Sequence, residues 1–256
     1  MHISALLILH LLIQCKFYNI SLIFGIFDFR SSIKLLTTTH REVIKMDFQE
    51  LINNRKSTRY FSDQTIDKDV LETIVEEAQR TPSWVNAQPW KVYISSGDSL
   101  KTVKRIYLEN NMKGIKGSPD FKNISRTEWP KFSKENMVGA TEQFNNTPGF
   151  NESQITLFNA PHIVYLTIPV GSPDWSIHDL GMFSQTLMLS AQNQGLDSAI
   201  AYALVKYPDV LHENLNIPND ELIGIGIALG YGDDTHPLNQ GVRERNALTR
   251  VLTMID

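Results

Sequence analysis

Cysteine is nearly absent from this chain: Cys15 is the only one in 256 residues. That excludes an intramolecular disulfide and fits a reducing compartment. A basic excess is missing too, since 24 Lys and Arg stand against 28 Asp and Glu, a formal net charge of −4. A nucleic-acid binder needs cations to neutralise backbone phosphates, so that class is set aside. No H-E-x-x-H or C-x-x-C spacing occurs, which leaves no support for a zinc site. The histidines are dispersed, and His162, His178, His212 and His236 read as hydrogen-bonded structural residues. There is no G-x-S-x-G elbow and no G-x-x-x-x-G-K-[ST] loop. Gly224 and Gly226 do not complete a G-x-G-x-x-G fingerprint, because Leu229 holds the third position and no helix follows. With no evident nucleophile or general base, an enzyme of this sequence would leave the chemistry to a bound cofactor.

Long apolar runs are also lacking. Residues 3–13 are apolar except for Ser4 and His10, and 17–29 form a second run. Lys16 separates the two well short of the ~20 residues a membrane helix needs. Met1-His2-Ile3-Ser4 carries no Lys or Arg for a secretory signal, and Gln14 stands where a lipoprotein site before Cys15 requires a small residue. Residues 1–45 therefore read as a doubtful leader, with Met46 as the true start; a membrane anchor is the competing reading. Without 1–45 the chain loses five basic residues (Lys16, Arg30, Lys34, Arg41, Lys45) and two acidic ones (Asp28, Glu42), leaving 19 against 26, or −7. A cytoplasmic protein with no membrane partner is the expectation.

What remains, 46–256, reads as one domain. Phe48, Leu51 and Ile52 fall at i, i+3 and i+4, predicting a short amphipathic helix over 47–53. Arg55, Lys56, Ser57, Thr58 and Arg59 follow. In an extended segment Arg55, Ser57 and Arg59 share one side and would converge on an anion, the alternative being a solvated basic stretch. Asp67 is placed to cap a helix with Val70, Leu71, Ile74, Val75 and Ala78 on its apolar stripe and Glu72, Glu76 and Glu77 on its wet face. Pro82 ends that helix and opens Pro82-Ser83-Trp84-Val85-Asn86-Ala87-Gln88-Pro89-Trp90. Ser83, Asn86 and Gln88 there suit a flat heteroaromatic ring with alternating carbonyls and nitrogens. The plainer alternative is a structural loop whose tryptophans fill the core. A strand over 90–94 and a helix marked by Leu100, Val103, Ile106 and Tyr107 come next.

From about 110 to 153 periodicity fades, while Phe121, Trp129, Phe132, Phe144 and Phe150 remain. Disordered segments are poor in aromatics, so this stretch reads as a lid. A buried strand over 162–169 precedes the longest helical signal, 175–194. Leu180, Phe183, Leu187, Met188 and Ala191 share a face there, and Met182 and Leu189 widen it towards a subunit interface. A short strand or turn over 198–204, a proline-started helix from Pro208 and a strand over 222–229 complete the order. Arg243 and Arg245 form a second candidate pair for gripping a phosphate.

Taken together, Arg55-x-Ser57-x-Arg59, Pro82-Ser83-x-x-Asn86-x-Gln88-Pro89-Trp90, the helix through Asp179-Leu180-Gly181-Met182 to Ala191, and Arg243-x-Arg245 resemble the nitroreductase family of flavin mononucleotide (FMN) enzymes. The resemblance covers the chain from about Met46 onward. It implies an α+β fold, a mixed and mostly antiparallel sheet flanked by helices, in an intertwined homodimer with FMN at each subunit interface. By position, Arg55, Lys56, Ser57 and Arg59 would hold the phosphate and ribityl chain, with Arg243 and Arg245 closing on the phosphate. Asn86 would bond the flavin's pyrimidine edge, and Pro82, Ser83 and Trp84 would reach the site from the partner subunit. Ala201-Tyr202-Ala203 aligns with the contact to flavin N5, with the Tyr202 backbone as the donor. The sequence departs from relatives that carry an acidic residue and a glycine there. No catalytic side chain is implied. The implied reaction takes hydride from NADH or NADPH to the flavin and onward to a nitroaromatic, quinone or similar small-molecule acceptor, in ping-pong order. A flavin-binding or storage protein without turnover, or another flavin reaction on the same fold, is the alternative.

Overall fold

The hydrophobic pattern from His162 onward places the molecule's central strand. In the computed structural model, which describes residues 47–122, 125–241 and 244–256, every residue of this strand from His162 to Ile168 is buried. The sheet holds four strands: β1 (Lys91–Ser96), β2 (His162–Pro169), β3 (Asp197–Ile200) and β4 (Glu221–Gly230), in the order β1-β2-β4-β3. All three ladders are antiparallel, and a parallel bridge joins Ser57 to Ser198 beyond them. The doubtful leader 1–45, Met46 and Arg243 lie outside the described residues.

Such a continuously buried strand needs helices on both faces of the sheet. The helices are α1 (Phe48–Asn54), α2 (Lys68–Ala78), α3 (Gly97–Met112), α4 (Lys131–Asn146), α5 (Phe150–Ile155), α6 (Asp174–Asn193) and α7 (Pro208–Leu215). Ile163 and Tyr165 face a core built with Val103 and Tyr107 of α3 and Leu211 of α7. Val164, Leu166 and Ile168 face Ile74 of α2 and Leu180, Phe183 and Leu187 of α6. Period-two alternation thus splits one apolar run between two cores. This is the α+β fold expected, and the five-residue stripe predicted on α6 is buried throughout. No described helix is long and apolar enough to cross a membrane.

Four local expectations need correction. Asp67 stands at the start of α2, yet its side chain makes no capping bond; Asp47 caps α1 instead, accepting from the N–H groups of Gln49 (2.8 Å) and Glu50 (2.9 Å). Glu77 does not lie on a wet face but accepts a hydrogen bond from Ser190 Oγ at 2.6 Å, tying α2 to α6. Residues 110–153 are not without structure, because α3 runs on to Met112 and α4 and α5 follow. Helix α4 buries none of its 16 residues fully, so it has no stripe docked into the core. His162 also differs from expectation: its Nδ1 is buried with no hydrogen-bond partner.

Candidate functional site

Arg55 ends α1 in an extended conformation and starts the segment that reaches the sheet edge. Thr58 N–H donates to the Ser198 carbonyl (3.0 Å), and Ser62 N–H to that of Tyr231 (2.8 Å). Phe61 bridges Gly232, where a Cβ would stand 2.5 Å from Asp197 Oδ2 and 2.8 Å from Thr58 Cγ2 and would push both side chains aside. Residues 57–62 are therefore a pinned, extended strip. Lys56 pairs with Asp234 at 2.5 Å. Arg55 is half-buried; burial first, and then the guanidinium of Arg245, hold its pKa below the ordinary arginine value. Two arginines from opposite ends of the domain thus share one locality, and an anion between them would offset both effects.

Arg59 turns from this strip into a cavity of about 670 Å³. Its guanidinium lies 4.9 Å from the ring of Phe144 and 5.8 Å from that of Phe150, and those rings stack on each other at 4.4 Å. It also donates to the Ser57 carbonyl at 3.1 Å. Ile200, Ala201 and Tyr202, at the end of β3, line the same cavity, together with Met137, Val138 and Thr141 of α4, which belongs to the expected lid. Arg126 and Lys134 line the same space with one carboxylate, Glu142.

Ala201 leads into a 3-10 turn, Tyr202–Val205. In such a turn the first N–H groups, here those of Tyr202 and Ala203, have no acceptor within the turn. The turn is held from two sides. Tyr107 Oη, its pKa raised by burial, donates to the Leu204 carbonyl at 3.0 Å. Gly226 lets β4 approach so closely that a Cβ there would fall 2.5 Å from Leu204 Cβ. The glycines that failed the dinucleotide pattern thus have a packing reason. Ala203 itself is buried.

The loop 82–90 lies elsewhere, against the first half of α6. Trp84 N–H donates to the buried Asp179 carboxylate at 3.0 Å, and Thr81 Oγ1 meets Thr186 Oγ1 at 2.8 Å. Ser83 Oγ accepts from Gln88 N–H (2.9 Å), and Gln88 Nε2 donates to the Asn86 carbonyl (3.2 Å). Val85, Asn86 and Gln88 take positive φ values of 52°, 58° and 45°. Left-handed backbone costs a non-glycine residue roughly 1–2 kcal/mol, most at a β-branched one such as Val85. Strain of this kind persists where the surroundings fix it and concentrates at binding sites. Trp90 is scaffold, stacked 4.7 Å from Phe183, whereas Pro82, Trp84 and Asn86 are exposed; none of the three, nor Ser83, lines the cavity of its own chain. The indole of Trp84 sits 6.1 Å from that of Trp175.

The structure therefore brings Arg245 within electrostatic range of Arg55, and sets Arg59, Ala201 and Tyr202 around one cavity, while holding 82–86 apart. The sequence singles out neither Asn239 nor Asp234, and marks Asp179 and Tyr107 only as helix positions, yet these four hold the pieces in place. Their partners lie 95 or more residues away in the chain, so no local pattern announces them.

Comparison with known proteins accords with this geometry. The chloronitrobenzene nitroreductase of Comamonas testosteroni is 26% identical over 221 residues, covering 80% of this chain and 96% of that protein. The nitrobenzene nitroreductase of Ectopseudomonas oleovorans is 27% identical over 209 residues, or 75% of this chain and 89% of its own length. The solved structure of an FMN and NADPH-dependent nitroreductase, NfnB, from Sphigopyxis sp. strain HMH superposes with a TM-score of 0.75 at 24% identity, covering 81% of this chain and 98% of the other. The family model described as "Nitroreductase family" matches residues 52–231, and the chain belongs to that family.

Proposed function

We propose that this protein is an FMN-dependent oxidoreductase that takes hydride from NADPH or NADH and reduces a nitroaromatic, quinone or similar acceptor. The observation that carries the reading is the cavity in which Arg59 meets the Ala201–Tyr202 wall under the aromatics of 144 and 150. Its residues fit FMN: Arg55 and Arg245 supply paired cations for a phosphate, and Ser57 and the pinned strip suit the ribityl chain. Tyr202 offers an N–H group of a fixed turn at the cavity wall, with buried Ala203 next in that turn, and a related NfnB is FMN and NADPH-dependent. When bound, FMN supplies a hydride-accepting ring nitrogen and returns the electrons to a second substrate. The protein's part is to bind and orient, with N–H groups and cations that stabilise negative charge on the reduced ring. A single cavity serving donor and acceptor implies that they take turns, hence ping-pong order.

The wall made by α4, which buries none of its residues, supports 110–153 as the lid of a single domain. A homodimer completes the site. Exposed Trp84, Val85, Trp175 and Ile177 form apolar surface around the strained loop, and Phe48 and Ile52 leave one face of α1 uncovered. Covering this surface with a second copy would deliver Pro82, Ser83, Trp84 and Asn86 to the other subunit's flavin. Steady-state oxidation of NADPH and NADH with nitrobenzene or a benzoquinone tests the activity. Turnover is expected; flavin binding without turnover would favour the storage alternative.

A further inference from the structure

Asn239 is 5% exposed and uses its entire hydrogen-bonding capacity on backbone groups. Its Oδ1 accepts from Arg59 N–H at 2.6 Å and Tyr60 N–H at 3.0 Å, while its Nδ2 donates to the carbonyls of Tyr60 at 2.7 Å and Asp233 at 2.9 Å. It stands at the end of a 3-10 turn, Pro237–Asn239, whose preceding His236 accepts from Leu238 N–H and stacks on the Tyr60 ring at 3.7 Å. The same stretch sends Asp234 to Lys56. Residues 233–239 therefore grip the strip 56–60 by one ion pair, one ring stack and one amide that bonds two successive residues. A buried amide satisfied on every atom fixes the backbone it touches, because each alternative placement leaves a polar group unpaired.

We propose that Asn239 is a positioning residue for phosphate recognition: it sets the backbone of Arg59 and Tyr60, so that the strip carrying Arg55, Ser57 and Arg59 is shaped before an anionic cofactor arrives. This rests on the flavin reading above. Pre-shaping lowers the ordering cost of binding, so the residue acts through the strip without touching the ligand.

The phosphate offers a readout that general loss of structure would not reproduce. Riboflavin has the ring and ribityl chain of FMN but no phosphate. In the full-length protein, Asn239→Ala should weaken FMN binding by about tenfold or more while changing riboflavin binding by less than about twofold. If Asn239→Ala does not fold, Asn239→Ser carries the same comparison. It stays neutral, so it adds no charge near the phosphate, and its one hydroxyl cannot make all four bonds; again it should weaken FMN relative to riboflavin. Unchanged FMN affinity, or an equal loss for both flavins, would overturn the proposal. A wild-type protein that binds neither flavin would overturn the flavin reading and this inference with it, an outcome recognisable before any variant is made.

Discussion

At the residue scale, the arginines divide into two kinds of work. Arg55 is held near Arg245 with its charged form disfavoured by burial, which is what a phosphate would relieve. Replacing Arg55 by Ala should weaken FMN binding roughly 10- to 150-fold, the equivalent of about 1.5–3 kcal/mol for a charge-assisted bond, as read by fluorescence titration. Retention equal to wild type would remove Arg55 from the phosphate site. Arg59 also serves the cavity, through its ring contacts with Phe144 and Phe150. Phe144→Ala should therefore raise the acceptor KM severalfold, since a cation–π contact is worth about 0.5–1 kcal/mol at exposed sites. FMN affinity should move much less. These residues were visible in the sequence as an alternating cationic run and a scatter of aromatics. Their meeting was not, because it depends on α4 and α5, which lack any stripe of buried residues.

At the scale of elements, the sheet shows how a buried charge is held. Glu221, 3% exposed at the start of β4, accepts from Lys91 Nζ and Tyr93 Oη of β1 and Thr167 Oγ1 of β2. Burial pushes the Glu221 pKa up, but the hydrogen bonds from Lys91, Thr167 and Tyr93 outweigh it and leave the value below that of an ordinary glutamate. A folded-state value below the unfolded one stabilises the protein above about pH 4.3 and loses that contribution as pH falls through the folded value. Glu221→Gln should thus cost about 1–3 kcal/mol at pH 7, a drop of several degrees in Tm, and the gap from wild type should close under acid conditions. A pH-independent gap would contradict the assignment. Most elements were legible: β2 from its unbroken apolar run, α6 from its stripe, and the break at Pro82 from proline chemistry. The caps were less so. Asp47 and Asp67 look alike in sequence, and only the local chain path decides which carboxylate reaches free N–H groups.

For the whole molecule, the division of the predicted site is the main lesson. Arg59, Ala201 and Tyr202 line one cavity, and Arg55 with Arg245 is proposed as its phosphate end, whereas 82–86 sits on α6 outside that cavity. Sequence order cannot show that separation, since both groups read equally well as flavin contacts. The proposed two-fold dimer would resolve it by letting each chain lend its strained loop to the other. Light scattering should give a dimer mass, and Trp175→Ser combined with Ile177→Asp should shift the protein towards monomer and lose FMN together with the partner. A monomer that keeps its FMN would count against the shared site.

The central claim is that this fold holds FMN and uses it for redox turnover. The most direct test is the visible absorption spectrum of the purified protein, supplemented with FMN, before and after anaerobic addition of NADPH or NADH. The account predicts a yellow protein whose flavin band bleaches with one of the two nucleotides and returns when a nitroaromatic or quinone is added. A colourless protein that takes up no FMN would contradict it.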